Sequence, residues 1–333
     1  MAEREVIRFG ILGAARIAPA ALIRPTRETP AATVRAVAAR DRTKAEAFAK
    51  EHGVPQVHGS YEDVLADPEI DAIYNPLPNG LHCEWTIRAL EAGKHVLCEK
   101  PLGSNAAEAR RMAEVARATG RLLVEAFHYR DHPLAARMRE IVASGTLGKL
   151  RHLEATMAAP LPFKSDIRYN WDLAGGATMD MGCYTLDLVR FLAQSERPGE
   201  PTVVSAKAKL SSPKVDRAMR AELQFEGGPT ATIACSLWSS QVLNLSCRAV
   251  GEKGEMRVIN PYVPQIWHRL SLTVDGRATR ERMDKIATYT CQLRAFTDAV
   301  LAGRTTSDLT GSIANMEAID AVYEAAGLPR RGT

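Results

Sequence analysis

Residues 93–105 read GKHVLCEKPLGSN. The small and apolar run His95–Cys98 predicts a short strand buried on both faces, because a strand inside a parallel sheet shows continuous apolar residues instead of alternation. A charged pair, Glu99 and Lys100, and then Pro101 stand at its carboxyl end. Ligands of open α/β sheets sit beyond the carboxyl ends of the strands, so Lys100 is where a small molecule would bind. Taken alone, E-K-P is also a plain surface turn with a solvated lysine. The flanking sequence decides between these readings.

Upstream, Val6–Leu12 is an apolar strand that runs through GILGAARIAPA into a helix whose first turn tolerates Pro19. Thr33–Ala39 is a second strand. In the RDRTKAEAFAKEHG that follows, Thr43 and Glu46 have the spacing of a capping box, and Gly53 ends the helix. Strand, helix and strand within about fifty residues make a βαβ unit. The alternation continues with a short helix at Tyr61–Leu65, a strand at Ile70–Tyr74 and a helix at Leu81–Ala92 closed by Gly93. After the opening strand come a helix at Ala106–Thr119, closed by Gly120, and a strand at Leu122–Ala126. Short connections between such elements predict an α/β fold, a doubly wound parallel sheet covered on both faces, over residues 1–126.

The first strand-to-helix turn is the cofactor candidate. A dinucleotide fingerprint reads G-x-G-x-x-G. Here Gly13-Ala14-Ala15-Arg16-Ile17-Ala18 keeps only the first glycine, and an ordinary tight turn explains it equally well. Alanine adds only a methyl, and a helix N-terminus still offers N–H groups to a pyrophosphate. Arg40 and Asp41 follow the second strand, with Lys44 nearby. An acid at that place binds a ribose 2′-hydroxyl, whereas an arginine accommodates a 2′-phosphate. Arg40 comes first and Lys44 adds charge, so the expected cofactor is NADP ahead of NAD. Asp41 reads as a turn or cap residue.

Beyond Ala126 the pattern changes. A helix at Pro133–Ser144 precedes strands at Leu150–Ala158, Val203–Leu210, Met219–Phe225, Thr230–Leu237, Val242–Val250 and Met256–Ile259. Gly227-Gly228 and Gly251–Gly254 are hairpin turns, and Gln194–Thr202 reads as a surface loop. Helices at Ile286–Leu301 and Ile313–Ala326 finish the chain. Residues 127–333 are therefore expected to form an α+β domain with a mostly antiparallel sheet. Within NWDLAGGATMDMGCYTLDLVRFL, Gly175-Gly176 breaks the chain before a helix starting near Met179. Asp180, Tyr184 and Asp187 fall on one face of that helix. A solvated face is the plain reading, and a glycine pair that lets a ligand approach is the other.

Composition excludes several classes. With 333 residues, 46% apolar and 25% charged, the chain can fill two globular cores. A net charge of +4 without basic blocks makes no case for nucleic acid or a membrane surface. No apolar run reaches membrane length, and MAEREVIRF reads as the start of a strand instead of a signal peptide. The six cysteines (Cys83, Cys98, Cys183, Cys235, Cys247, Cys291) show neither C-x-x-C nor zinc spacing, so free thiols, no metal and a reducing cytoplasm are expected.

GILGAARIA, AARDRTKAEAFAKEHG, YNPLPNGLHCEWTIRALEAGKHVLCEKPL, EAFHYRDHP and GGATMDMGCYTLD together resemble the Gfo/Idh/MocA oxidoreductases over nearly the whole chain. The resemblance implies an N-terminal Rossmann domain and a substrate-binding, oligomer-forming second domain. It implies a homodimer or homotetramer. It makes Lys100 catalytic and places Pro76, Leu77, Asn79, His82, Glu99 and Pro101 at the cofactor, with Gly13 to Ile17, Arg40 and Lys44. The family's D-x-x-x-H motif reads Asp180-x-x-x-Tyr184, a departure that resembles the branch of dihydrodiol dehydrogenase and NADP-dependent D-xylose dehydrogenase. The implied substrate is a sugar-like molecule or a trans-dihydrodiol.

The residues support that chemistry independently. Hydride transfer from a secondary alcohol needs a group to take the hydroxyl proton. Tyr184 could serve if its pKa of about 10 fell by roughly 2–3 units. An ammonium about 4 Å away supplies roughly 4 kcal/mol at an effective dielectric of 20, and Lys100 is the candidate source. Asp180 would orient the lysine or a substrate hydroxyl. His128 and Arg130, after the last strand of the first domain, and Arg168 and Trp171 are further substrate-lining candidates. A non-catalytic NADP-binding or sensing protein is the alternative, against which the joint presence of Lys100, Asp180 and Tyr184 argues.

Overall fold

A computed structural model describes residues 6–163, 165–196, 199–240, 242–304 and 308–333. Residues 1–5, at the expected chain start, and Arg197 and Pro198 of the expected 194–202 loop lie outside it. The rest of that loop holds a 3-10 turn, Gln194–Glu196, and Pro201 already opens a strand. Two compact units result, residues 1–128 with 289–313 and residues 129–288 with 314–333. The sequence alone groups everything after residue 126.

In the first unit, β1 (Ile7–Leu12), β2 (Ala32–Ala38), β3 (Gln56–Val57), β4 (Ala72–Asn75), β5 (His95–Cys98) and β6 (Leu123–Glu125) form one sheet. Its order is β3-β2-β1-β4-β5-β6, and every pair is parallel. The order reverses between β1 and β4, which makes the carboxyl ends of those two strands the ligand crevice. Val96, Leu97 and Cys98 of β5 are wholly buried, as the continuous apolar run requires. A π-helical turn, Pro19–Ile23, and α1 (Arg24–Thr26) follow β1, with Pro19 at the helix start. The remaining helices are α2 (Arg42–His52), α3 (Tyr61–Ala66), α4 (His82–Glu91) and α5 (Ala106–Thr119). Asn105 caps α5 by accepting from the Glu108 N–H, and Gly120 closes it at φ 61°. The expected capping box at Thr43 and Glu46 does not form. Asp41, one place before α2, accepts from the Thr43 and Lys44 N–H groups instead, and Glu46 pairs with Arg42.

After α6 (Pro133–Ala143), the second unit builds an eight-stranded sheet in the order β14-β13-β12-β11-β7-β10-β9-β8. These strands are β7 (Leu150–Ala158), β8 (Pro201–Ser212), β9 (Val215–Phe225), β10 (Thr230–Ser236), β11 (Asn244–Gly251), β12 (Gly254–Ile259), β13 (Arg269–Val274) and β14 (Arg277–Glu281). Among the described residues only β7 and β10 pair in parallel, so the sheet is mostly antiparallel. A π-helical turn, Thr178–Gly182, leads into α7 (Cys183–Ala193), whose residues 183–190 are all buried. The face carrying Tyr184 and Asp187 is therefore interior, and the solvated reading of it fails. Among the last helices, α8 (Thr288–Leu301) supplies Leu293 and Phe296 to the core of the first unit, with the Phe296 ring 5.6 Å from that of Phe9. The final helix is α9 (Thr310–Ala325).

Candidate active site

Gly13 ends β1 at φ 94°, with its N–H donating to the Ala38 carbonyl at 2.6 Å. A Cβ there would lie 3.2 Å from Leu77 Cδ2, so the turn after β1 and the loop after β4 meet at the reversal of strand order. Ala14 and Ala15 are half-buried, Arg16 and Ile17 exposed, and Ala18 is wholly buried in the unit's core. The methyl at the last fingerprint place thus packs into the core. The Asp41 carboxylate is engaged by the Thr43 and Lys44 N–H groups at 3.0 and 3.3 Å, with Lys44 Nζ 3.8 Å away. Arg40 beside it is exposed. A capped acid flanked by two cations suits a 2′-phosphate better than a bare ribose hydroxyl, so these residues fit a phosphorylated dinucleotide.

At the end of β5, Glu99 is buried and accepts from the Tyr74 hydroxyl at 2.7 Å, while Lys100 is half-buried. The Lys100–Pro101 peptide is cis, and the next N–H, of Leu102, donates to Glu125 at 2.8 Å. The neighbouring loop is equally fixed. Pro76 and Leu77 are buried, Asn79 opens a 3-10 turn, and the Asn75 amide bonds the Leu77 N–H, the His82 carbonyl and the Thr86 hydroxyl. The wholly buried His82 places Nδ1 2.8 Å from the Pro101 carbonyl and Nε2 2.7 Å from that of Leu77. Two carbonyls favour a doubly protonated ring, but burial is the larger effect and holds the pKa down to about 4. The ring is therefore neutral at physiological pH and lies between the two loops, donating its single N–H to one of the two carbonyls.

His128 is 3% exposed, and its ring lies 4.1 Å from that of Tyr289 on α8. Burial, reinforced by the charge of Lys100, pushes its pKa down to about 3, so it is neutral at physiological pH.

In the second unit, the groups that approach Gly176 belong to the chain itself. A Cβ there would lie 2.2 Å from Asp216 Oδ1, 2.7 Å from the Tyr323 hydroxyl and 2.9 Å from an Arg331 nitrogen. The expectation of a ligand at the glycine pair is corrected accordingly. Arg168 donates to Asp180 at 2.8 Å and to Asp166 at 3.1 Å, and these two acids raise its pKa. Trp171 sits under the Arg331 guanidinium, 4.8 Å away, with Lys214 Nζ 5.2 Å from its ring. Tyr184 is buried between the rings of Tyr129 and Tyr262, at 6.1 and 5.7 Å. One turn further on, the wholly buried Asp187 accepts from the Tyr129 hydroxyl at 2.5 Å and from both arms of the Arg130 guanidinium.

Lys100 and His128 thus fall together in the first unit, as Arg168, Asp180, Trp171 and Tyr184 do in the second. Sequence reasoning did not foresee the Asp187–Tyr129–Arg130 group, although the spacing from Tyr184 to Asp187 hinted at it. Nothing local marks Asp216 or Arg331. Among the described residues no cluster of His, Cys, Asp and Glu could hold a metal ion, and no helix is long and apolar enough to cross a membrane. The six cysteines are unbridged.

A parallel sheet in this order, with a glycine turn at the reversal, is a nucleotide-binding fold of the Rossmann type. Residues 7–127 match the oxidoreductase family with an NAD-binding Rossmann fold, and residues 135–257 match the Gfo/Idh/MocA C-terminal domain. The chain belongs to the Gfo/Idh/MocA family. It is 37% identical over 321 residues to D-xylose 1-dehydrogenase (NADP(+)) 2 of Haloferax volcanii, across 96% of this chain and 97% of that one. It is 35% identical over 241 residues to the trans-1,2-dihydrobenzene-1,2-diol dehydrogenase of Bos taurus, across 72% and 69% of the two chains. The crystal structure of KijD10, a 3-ketoreductase from Actinomadura kijaniata with NADP and TDP-benzene, superposes with a TM-score of 0.87 at 29% identity, covering 96% and 98%.

Proposed function

We propose that this chain is an NADP-dependent dehydrogenase or reductase acting on a secondary alcohol or carbonyl of a sugar, polyol or trans-dihydrodiol. The observation that carries the reading is Lys100, half-buried at the carboxyl end of β5 and beside the neutral His128. Likeness to an NADP-dependent D-xylose dehydrogenase and to dihydrodiol dehydrogenases supports it.

In this reading Gly13 to Ile17 hold the pyrophosphate, and Arg40 and Lys44 the 2′-phosphate. Pro76, Leu77 and Asn79, with Glu99, Lys100 and Pro101, border the nicotinamide end, and His82 lies between their two loops. Bound NADP supplies the hydride acceptor, or the donor in the reverse direction. Tyr184 takes the hydroxyl proton, and the Lys100 ammonium favours the phenolate. Asp180, held by Arg168, orients a substrate hydroxyl. His128 adds no competing positive charge near the lysine. The six unbridged thiols suit a reducing compartment, so we assign the protein to the cytoplasm. We also assign it a homodimeric or homotetrameric state, which light scattering would read directly.

A panel of aldoses, trans-dihydrodiols and keto-sugars, run with both nicotinamide cofactors and followed by nicotinamide absorbance, tests the activity. Turnover with an aldose or dihydrodiol and NADP+ is expected. Tight NADPH binding without turnover on any member would sink the catalytic reading and favour a binding protein.

A further inference from the structure

The Asp216 carboxylate is wholly buried and faces four donors from three separate parts of the second unit. Its Oδ2 accepts from the Thr178 N–H and hydroxyl, both at 2.7 Å. Its Oδ1 accepts from the Tyr323 hydroxyl at 3.0 Å and from the Arg331 guanidinium at 2.8 Å. Arg331 is also wholly buried, has its guanidinium carbon 4.0 Å from the centre of the Tyr323 ring, and donates through Nε to the Gly175 carbonyl at 2.7 Å. One ion pair therefore grips both ends of the Gly175–Thr178 corner. That corner begins the π-helical turn bearing Asp180, whose N–H donates to the Gly176 carbonyl at 3.0 Å. The Gly176 N–H in turn donates to the carbonyl of Arg168, the residue paired with Asp180. Asp180 and, one turn on, Tyr184 take their places from this corner.

We infer that Arg331 and Asp216 are positioning residues for the reaction, a clamp that sets Asp180 and Tyr184 in register. The inference rests on the roles given above to those two residues. Neither clamp residue is needed for charge at the reacting atoms. A buried carboxylate that lost its partner could unfold the unit, so removal of Arg331 is not the informative change. Arg331→Lys keeps the positive charge, but one ammonium cannot reproduce the planar fork that reaches Gly175 and Asp216 together.

The test compares Arg331→Lys, Tyr184→Phe and the double variant with the wild type. Amide hydrogen exchange of residues 176–187 and of strands β11 and β12 is read by mass spectrometry, alongside turnover of D-xylose with NADP+. Exchange at 176–187 should rise about 10-fold in Arg331→Lys, with β11 and β12 unchanged. The kcat should fall about 10- to 100-fold, the effect of a small misplacement, while KM for NADP+ stays within about 2-fold. In the Tyr184→Phe background the same change should cost little more. Unchanged exchange at 176–187, or equal loosening throughout the unit, overturns the clamp. Local loosening with wild-type kcat overturns its positioning role. If Tyr184→Phe alone keeps wild-type turnover, the catalytic reading itself fails, and the positioning role falls with it.

Discussion

Replacing Gly176 by alanine tests the buried corner most sharply. Gly176 sits at φ 138°, in the region that disfavours a side chain, and a Cβ there would lie 2.2 Å from Asp216 Oδ1. Backbone strain of this kind costs about 1–3 kcal/mol, and overpacking of a tight interior costs about 1–3 kcal/mol more. Together they give about 2–6 kcal/mol for Gly176→Ala. Gly276 is the control, since it has φ 77° and nothing within 4 Å of its would-be Cβ. Gly276→Ala should therefore show only the backbone contribution, about 1 kcal/mol. At about 2–4 °C per kcal/mol for a unit of this size, calorimetry should find a midpoint roughly 10 °C lower in Gly176→Ala than in the control. Equal midpoints in the two variants would refute the reasoning, because only Gly176 adds the crowding of the new methyl to the cost of a positive φ.

Tyr184→Phe removes one oxygen and should cut kcat by about 10²–10⁴ while leaving NADPH affinity intact; near-wild-type turnover rules the tyrosine out as acid/base. Arg40→Ala should weaken NADP by about 1.5–3 kcal/mol and leave NAD nearly unchanged in a fluorescence titration, and equal losses would remove Arg40 from the 2′-phosphate. His82, His95 and His128 have pKa values depressed to about 4, 4 and 3, chiefly by burial. Each binds fewer protons folded than unfolded between its folded pKa and its ordinary value, so stability falls with acidification from about pH 6.5 towards 4, by up to about 1.4 kcal/mol per pH unit per ring. Urea unfolding should give a lower free energy at pH 5.5 than at pH 7, and a flat profile contradicts neutral buried rings.

Legibility followed the range of the interactions. The strand His95–Cys98 and the helix Ala106–Thr119 appear with the expected bounds, since an unbroken apolar run and two local caps define them. Asp41 against Thr43 was a contest between neighbouring caps, settled because the Asp41 carboxylate reaches two N–H groups. β13 and β14 were both missed, the second because RATRE carries no apolar pattern and is a strand only through its ladder with β13. The turn between them, Asp275-Gly276, has both residues at positive φ and was a readable hairpin signal. The glycine pair invited a ligand reading because the groups that press on Gly176 arrive from far along the chain, Arg331 standing 115 residues from Asp216. Lys100 was locatable from topology alone. The surroundings of Tyr184 were not, since the rings of Tyr129 and Tyr262 reach it from distant parts of the chain.

The return of α8 bears on the order of events during synthesis. The core around Phe9 and Ile11 needs Leu293 and Phe296, yet the last strand of that sheet ends at Glu125. At about 5–20 residues per second, the ribosome needs roughly 10–30 s after β6 emerges to deliver the missing helix. Throughout that interval the nascent sheet carries an uncovered apolar face. Its exposure is a period in which a chaperone, or a neighbouring nascent chain, competes with the protein's own later sequence for the same surface.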